Sequence, residues 1–448
     1  MPSTAIDSHL FGNFFSSEPM RGIFSDENRV RKYLEFEAAL ATVQGRLGII
    51  PTEAAAEIAA NCALDKIDMD KLGTETERIG SPVLGLVKQL AARCRDGLGE
   101  YCHWGATTQD VTDTATILQV REALDLVAAD LAALSSSLAD LARRHRDTPM
   151  VGRSYLQHAV PITFGFKVAS LLAAVERHRH RLAELSPRVL VGEFAGAVGT
   201  LASLPSGGLD TQAALMTELK LGQPDIAWHS HRDRIAEVGC FLGLVTGTLA
   251  KLATDVKLMM QTEIGEVSEP AAPGRGSSST MPQKRNPVSC VYIHACASVV
   301  RQHVAALLEA MASDHERASG PWQIEWISLP DIFLLASGAL AHARSMAAGL
   351  EVDEARMRAN LDLTHGLIVS EAVMMGLAPH LGRGHAHHLV QALCAKAIEQ
   401  RRPLFDILSE TPEITGHVDA DTLRELCDPA RYLGLSAQMV DRVLARLA

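Results

Sequence analysis

Aromatic residues are scarce in this chain, at 4% of 448 residues, although hydrophobic residues reach 47%. Alanine and leucine therefore carry the apolar content, which favours helices over sheets. No stretch sustains the alternation of period two that marks a half-buried strand, so no sheet is expected. Basic residues are also in deficit: 42 Lys and Arg stand against 53 Asp and Glu, a formal net charge of -11. That balance excludes a protein that binds nucleic acid through a broadly basic surface. It leaves room for a local basic cluster that takes a small anion. The eight cysteines include no C-x-x-C pair, so free thiols in a reducing, cytoplasmic compartment are expected. A basic n-region followed by an apolar h-region is missing at the N-terminus. The most apolar long stretch, 238–253, contains glycines and runs out at Lys251 and Asp255, so no membrane partner is expected.

What is present is helical periodicity. At 448 residues the chain is too long for one core. Ile117, Val120, Leu124, Val127, Leu131, Leu134, Leu138 and Leu141 keep a strict 3-4 spacing. Ile235, Val238, Leu242, Val245, Leu249, Leu252, Val256 and Met259 repeat it. Such seams belong to long helices packed side by side at a shallow angle. Either an intrachain bundle or a bundle shared between subunits would satisfy them. Thr112 or Asp113 is the expected cap of the first long helix. Further helices are expected at 163–185, 288–311 and 325–350, with shorter ones after 353. The His178 run, Arg177 to Arg181, reads as an exposed basic face. His385, His387 and His388 read as a solvated helix start.

Three polar loops interrupt or flank the long helices. The first is His103-Trp104-Gly105-Ala106-Thr107-Thr108-Gln109-Asp110, and the second is Gly152 to Pro161. The third is Gly274-Arg275-Gly276-Ser277-Ser278-Ser279-Thr280-Met281-Pro282-Gln283-Lys284-Arg285-Asn286-Pro287. The third combines mobile glycines and hydroxyls with a lysine and a carboxamide two residues apart, stiffened by two prolines. By composition it is equally a linker or a cradle for a carboxylate or a developing oxyanion. His229 and His231 stand two apart on an expected loop, but no carboxylate or cysteine completes an obvious metal site with them, and none is expected.

The order of residues in the third loop resembles the signature of the fumarase/aspartase superfamily, G-S-S-x-M-P-x-K-x-N, with Ser277 at its second glycine. The first loop is similar to the superfamily's H-x-G-x-T-S-x-D, with Thr108 for serine. The second resembles G-R-T-H-x-x-H-A-x-P, and 228–234 resembles an R-D-R segment of the adenylosuccinate lyase branch. The resemblance covers most of the chain. It implies an all-α fold of three domains, here 1–111, 112–352 and 353–448. The middle domain would form a long-helix bundle shared in a homotetramer whose active sites combine loops from three subunits. No cofactor is implied. The implied chemistry is β-elimination beside a carboxylate, or its reverse, on a small polycarboxylate.

In that reading Ser278 is the acid/base, assisted catalytically by His158 and Lys284. His103, Thr107, Thr108, Arg153, Tyr155, Ser279, Met281, Arg285 and Asn286 bind substrate. Where amine-expelling members carry a histidine that protonates the leaving group and a glutamate that orients it, this chain has Tyr155 and Val291. A leaving amine needs a proton, whereas a carboxylate leaves as a stable anion. The pattern is thus similar to the carboxymuconate-lactonizing branch, with Gln283 in place of that branch's histidine. Further matches are His315-Glu316-Arg317, Trp322, Glu325-Trp326 and 360–367. C–N lysis or epimerisation of an aminopolycarboxylate, adenylosuccinate cleavage, and an inactive helical scaffold are the alternatives.

Overall fold

The computed structural model describes residues 4–271 and 274–447. It is an all-α fold built on five long helices: Thr108–Arg144, Phe164–Val189, Asp233–Met259, Val288–Ala310 and Pro321–Ala348. The chain forms two compact units. One consists of Met1–Leu131, His178–Leu249 and Tyr292–Ala341, the other of Ala132–Arg177, Ala250–Val291 and His342–Ala448.

In the first unit the helix Asp26–Arg46 lays Tyr33, Leu34, Phe36 and Leu40 against Val111, Ala115 and Leu118 and against Phe194, Leu215 and Met216. In the second, Val373, Leu377, Val390, Leu393, Leu404, Ile407 and Leu408 close a separate core among the short C-terminal helices. Burying a leucine or valine of this kind contributes about 1.5–3 kcal/mol.

Both heptad seams lie inside the single chain. Every residue of the first is at most 3% exposed, and every residue of the second at most 9%. The choice left open by the pattern therefore falls to the intrachain bundle, and the uncovered apolar surface lies elsewhere. Leu244, Val291, Val299 and Leu308 remain about half exposed, at 54%, 54%, 45% and 50%. Three of the long helices, Asp233–Met259, Val288–Ala310 and Pro321–Ala348, are apolar and long enough to cross a membrane by length and composition alone. Within the chain 50%, 28% and 67% of their apolar windows are buried, so Val288–Ala310 keeps the largest open face.

The expectation of no sheet is corrected in two places. Pro149–Ser154 and Gln157–Thr163 form an antiparallel hairpin, and Val267–Ser268 pairs with Glu351–Val352. The hairpin turns through Tyr155 and Leu156, both left-handed at φ 52° and 64°. Two-residue turns of this sort usually announce themselves as Asn-Gly, a signal this sequence does not give. The register slips between Val151 and Arg153. Gly152 lies there, and a Cβ on it would stand 2.5 Å from the Val160 carbonyl oxygen.

Two local expectations also change. The first long helix begins at Thr108 rather than at 112 or 113, because Asp110 reaches back to the Thr107 amide at 2.9 Å and closes half of a capping box. His178 is buried rather than on an exposed basic face, with Nε2 against Thr248 Oγ1 at 2.8 Å.

Candidate active site

In the first unit, the loop 103–110 is organised by one carboxylate. Asp110 is fully buried and accepts four N–H groups: Thr107 at 2.9 Å, Ala195 and Gly196 at 3.0 Å each, and His229 Nε2 at 2.9 Å. It thereby pins the loop to the segment 192–196. Gly105, at φ 76°, packs so tightly that a Cβ would meet Leu204 Cδ1 at 2.5 Å. His103 is also left-handed, at φ 57°, and its Nδ1 donates to buried Glu37 Oε1 at 2.6 Å. The Thr107 hydroxyl receives Arg317 Nη2 at 2.6 Å, while Arg317 Nη1 reaches Gln109 Oε1 at 2.9 Å. Thr108 opens the helix one residue further on.

Below this loop is a buried charge cluster. Arg232 donates to both oxygens of Asp113, at 2.7 and 3.0 Å, and to both oxygens of Glu325, at 2.8 and 2.6 Å. Its guanidinium stacks over Trp228 at 4.8 Å. Burial pushes the Glu325 carboxyl up from its ordinary value, against the pull of Arg232. Replacing one partner of so enclosed a set would leave an uncompensated charge, at about 3–5 kcal/mol.

His229 does find carboxylates. Asp110, Glu193 and His229 are all buried, and each offers a ligand atom within 4.8 Å of the others. They lie far apart in sequence, which hid the cluster. Asp110, however, already spends its lone pairs on four N–H donors, and His229 Nε2 carries a hydrogen toward it. The set is thus a hydrogen-bonded clamp. Burial raises the Glu193 carboxyl to about 7. Its Oε2 accepts the Trp228 amide at 2.5 Å, and its Oε1 has no partner among the described residues.

In the second unit, Arg153 forms a two-fold contact with buried Glu266 at 2.9 and 2.7 Å, and Asn360 donates to the same carboxylate at 2.9 Å. Tyr155 projects from the hairpin tip at 97% exposure. His158 pairs in register with Arg153 and lines a cavity of about 570 Å³ with Thr364, Leu367 and Glu371. Burial, then the Arg153 charge, lowers the His158 basicity, and its Nδ1 has no partner among the described residues.

The signature loop, 274–287, belongs to the second unit as well. Gly276 is left-handed at φ 69°, and a Cβ there would stand 2.7 Å from the Asn286 carbonyl oxygen. Asn286 donates its side-chain Nδ2 and its backbone N–H to the Gly276 carbonyl, at 2.9 Å each. Arg285 is engaged with Glu351 at 2.8 and 3.0 Å and with the Glu269 carbonyl at 2.6 Å. Glu269 in turn caps the helix Val288–Ala310 by accepting the Ser289 and Cys290 amides at 2.9 Å each.

The two adjacent serines differ. Ser277 donates its hydroxyl to the Gly274 carbonyl at 2.7 Å. Ser278 Oγ instead accepts the Thr280 and Met281 amides, at 3.2 and 3.0 Å. Ser279, Met281 and Lys284 are exposed, and the Lys284 ammonium has no ion pair among the described residues.

Known proteins match this arrangement along the whole chain. A family model described as Lyase matches residues 14–301, and one described as Adenylosuccinate lyase C-terminus matches 366–443. The chain belongs to the fumarate lyase superfamily, and it is an enzyme of that lyase and cycloisomerase group. It is 56% identical over 446 residues to trans-aconitate decarboxylase 1 of Mycosarcoma maydis, covering 100% of this chain and 90% of that protein. It is 48% identical over 441 residues to a 3-carboxy-cis,cis-muconate cycloisomerase of Pseudomonas aeruginosa, covering 98% and 96%. The crystal structure of the 3-carboxy-cis,cis-muconate lactonizing enzyme of Pseudomonas putida superposes with a TM-score of 0.94 at 46% identity, over 98% of each chain.

Proposed function

We propose that this enzyme moves a proton at the carbon beside a carboxylate of an unsaturated polycarboxylate, with Ser278 as the acid/base. The observation that carries this reading is the pair of backbone N–H groups aimed at Ser278 Oγ. Two fixed donors lower the cost of an alkoxide, as a preorganised oxyanion site does. Lys284 adds a positive charge three residues past Met281. Thr107, Thr108 and the Arg317 guanidinium offer donors to substrate carboxylates on the other loop.

The first substrate reading is decarboxylation of a propene tricarboxylate such as trans-aconitate, supported by the full-length similarity to a trans-aconitate decarboxylase. In that substrate one carboxylate sits on a CH2 next to the double bond. Ser278 delivers a proton to the CH carbon beside another carboxylate. The C–CO2 bond electrons form the new double bond, and CO2 departs. The Ser278 alkoxide recovers its proton from solvent. The second reading is lactonization of 3-carboxy-cis,cis-muconate, supported by the cycloisomerase relatives and the superposed structure. There the same proton delivery, to the alkene carbon beside one carboxylate, accompanies addition of the opposite carboxylate's oxygen to the other carbon of that double bond, which closes the lactone ring. Neither CO2 nor a carboxylate oxygen needs a general acid. Tyr155 and Val291, where amine-expelling relatives place an acid pair, fit both. The departure at Gln283 from the lactonizing pattern favours the first.

The working assembly in this reading is a homotetramer. Its bundle, within 112–352, is flanked by 1–111 and 353–448 and covers the open face of Val288–Ala310. An exposed signature loop supports this, because charge stabilisation weakens in water and a covered site would strengthen it. The eight free thiols fit a reducing, cytoplasmic setting.

The test gives purified protein trans-aconitate and 3-carboxy-cis,cis-muconate in parallel. Proton NMR and CO2 release follow the first, and loss of diene absorbance follows the second. Release of fumarate from adenylosuccinate or an aminopolycarboxylate, faster than either reaction, would reject the reading.

A further inference from the structure

Glu37 has no role in the chemistry above. It lies in the middle of the helix Asp26–Arg46 and is 1% exposed. Its helical neighbours one turn away, Tyr33, Leu34, Leu40 and Ala41, are all buried and mostly apolar. Packing alone gives this position no reason to be an acid. One of its oxygens, Oε2, has no hydrogen-bond partner among the described residues. A carboxylate sealed from water with one oxygen idle is unfavourable unless a charge compensates it. The single hydrogen-bond partner supplied among the described residues is His103 Nδ1, at 2.6 Å. His103 reaches it from a left-handed backbone, itself unfavourable for a residue with a Cβ. Two local penalties thus converge on one contact.

We propose that Glu37 is the positioning residue that holds His103 as an imidazolium, leaving its Nε2–H as a charged donor that reads one carboxylate of the substrate. This rests on the reading that the loop 103–108 binds the polycarboxylate. With Nδ1 committed to Glu37, Nε2 on the far side of the ring is the free donor. The ring side chain keeps 20% of its surface open. The charged groups acting on it, Glu37 and Asp110, are both acidic. Burial lowers its basicity, yet these two carboxylates outweigh burial, and the net shift is upward from 6.5. The neighbouring Cys62 stays a neutral thiol, pushed up to about 12 by burial and then by the Glu37 charge. A tricarboxylate carries one more anionic group than fumarate, and a second cation on this loop beside Arg317 suits that extra group.

The variant Glu37→Gln keeps size and shape but removes the charge. In uniformly 15N-histidine-labelled protein without substrate, the His103 titration midpoint should fall. Calorimetric binding of the unreactive propane-1,2,3-tricarboxylate should weaken at least tenfold at pH 8, with the gap closing toward pH 6, where a free imidazole charges itself. For whichever polycarboxylate turns over, KM should rise with that pattern while kcat changes less than threefold. His103→Gln should bind the tricarboxylate weakly at both pH values. An unchanged His103 titration in Glu37→Gln, or full-strength binding by His103→Gln, would overturn the proposal. Should no polycarboxylate turn over while binding still weakens in Glu37→Gln, the proton-transfer chemistry fails and the Glu37–His103 pair stands.

Discussion

The loop 103–110 and the signature loop 274–287 carry the same kinds of residue in opposite states. In the first, Asp110 alone holds four N–H groups, His103 is tied to Glu37, and the Thr107 hydroxyl is tied to Arg317. Its glycine at 105 is locked against Leu204. Among the described residues the second is fastened near its base, where Asn286 meets Gly276, Arg285 meets Glu351 and the Glu269 carbonyl, and Arg275 meets Ser289. Its tip, with Ser279, Met281 and Lys284, faces outward. One loop is held by hydrogen bonds along its length, and the other leaves its tip exposed. Catalytic groups that must be covered before they act are drawn from the less constrained kind of segment.

The largest effect should come from the open loop. Ser278→Ala is expected to lower kcat by about 10³-fold or more without changing the far-ultraviolet circular dichroism. Ser277→Ala should cost less than about tenfold, because that hydroxyl donates to the Gly274 carbonyl. A larger loss in Ser277→Ala than in Ser278→Ala would mean that the serine roles are exchanged, and equal losses would remove the distinction between them.

The closed loop should show the reverse: large stability loss first, activity loss as its consequence. Asp110→Asn replaces an acceptor of four N–H groups by a carboxamide that can accept at only one oxygen. An unmade buried hydrogen bond costs about 1–3 kcal/mol, so a fall of about 3 kcal/mol in unfolding free energy is expected by denaturant titration. A shift under about 0.5 kcal/mol would show that the clamp is slack.

A pH-dependent effect of similar size should appear at Glu193. Its folded carboxyl is raised to about 7 from 4.5. Stability is therefore complete below 4.5 and is lost as pH rises through 7, because the unfolded chain ionises first. At one unit per 1.36 kcal/mol the span is on the order of 3 kcal/mol. Glu193→Gln should match the wild type in melting temperature near pH 5 and exceed it near pH 8.5. Parallel curves would refute the assignment.

The smallest effect concerns the hairpin tip and the helix after the signature loop. The double variant Tyr155→His with Val291→Glu restores the residue types of an acid pair. It should leave turnover on trans-aconitate or the muconate unimproved, because neither departing group needs a proton. A several-fold gain in the rate assay would place an acid step in the mechanism.

The long helices were legible in the sequence because 3-4 spacing records burial directly, and all sixteen seam residues are buried. What the spacing does not record is the partner: the same pattern serves a helix of the same chain or of another. The hairpin was hidden because Tyr155 and Leu156 take a turn that other sequences mark with Asn and Gly. The loops carrying Ser278 and His103 were legible as strings of residues. Their supports were not: Glu37, Glu193 and Glu266 are single acids inside ordinary helical or apolar text. Only the fold brings them to His103, to the Trp228 amide and to Arg153.

The exposed Lys284-Arg285 step has a practical consequence. It places a tryptic cleavage site inside the loop that carries Ser278, with one side chain free and the other held by Glu351. Cleavage there would divide the 48.2 kDa chain into fragments of about 31 and 18 kDa in proportion to residue number. The rate of nicking becomes a clock for how often the loop stands open. A partner subunit or a bound polycarboxylate that covers the step would slow that clock, and the protection could be read from a gel before any product is identified.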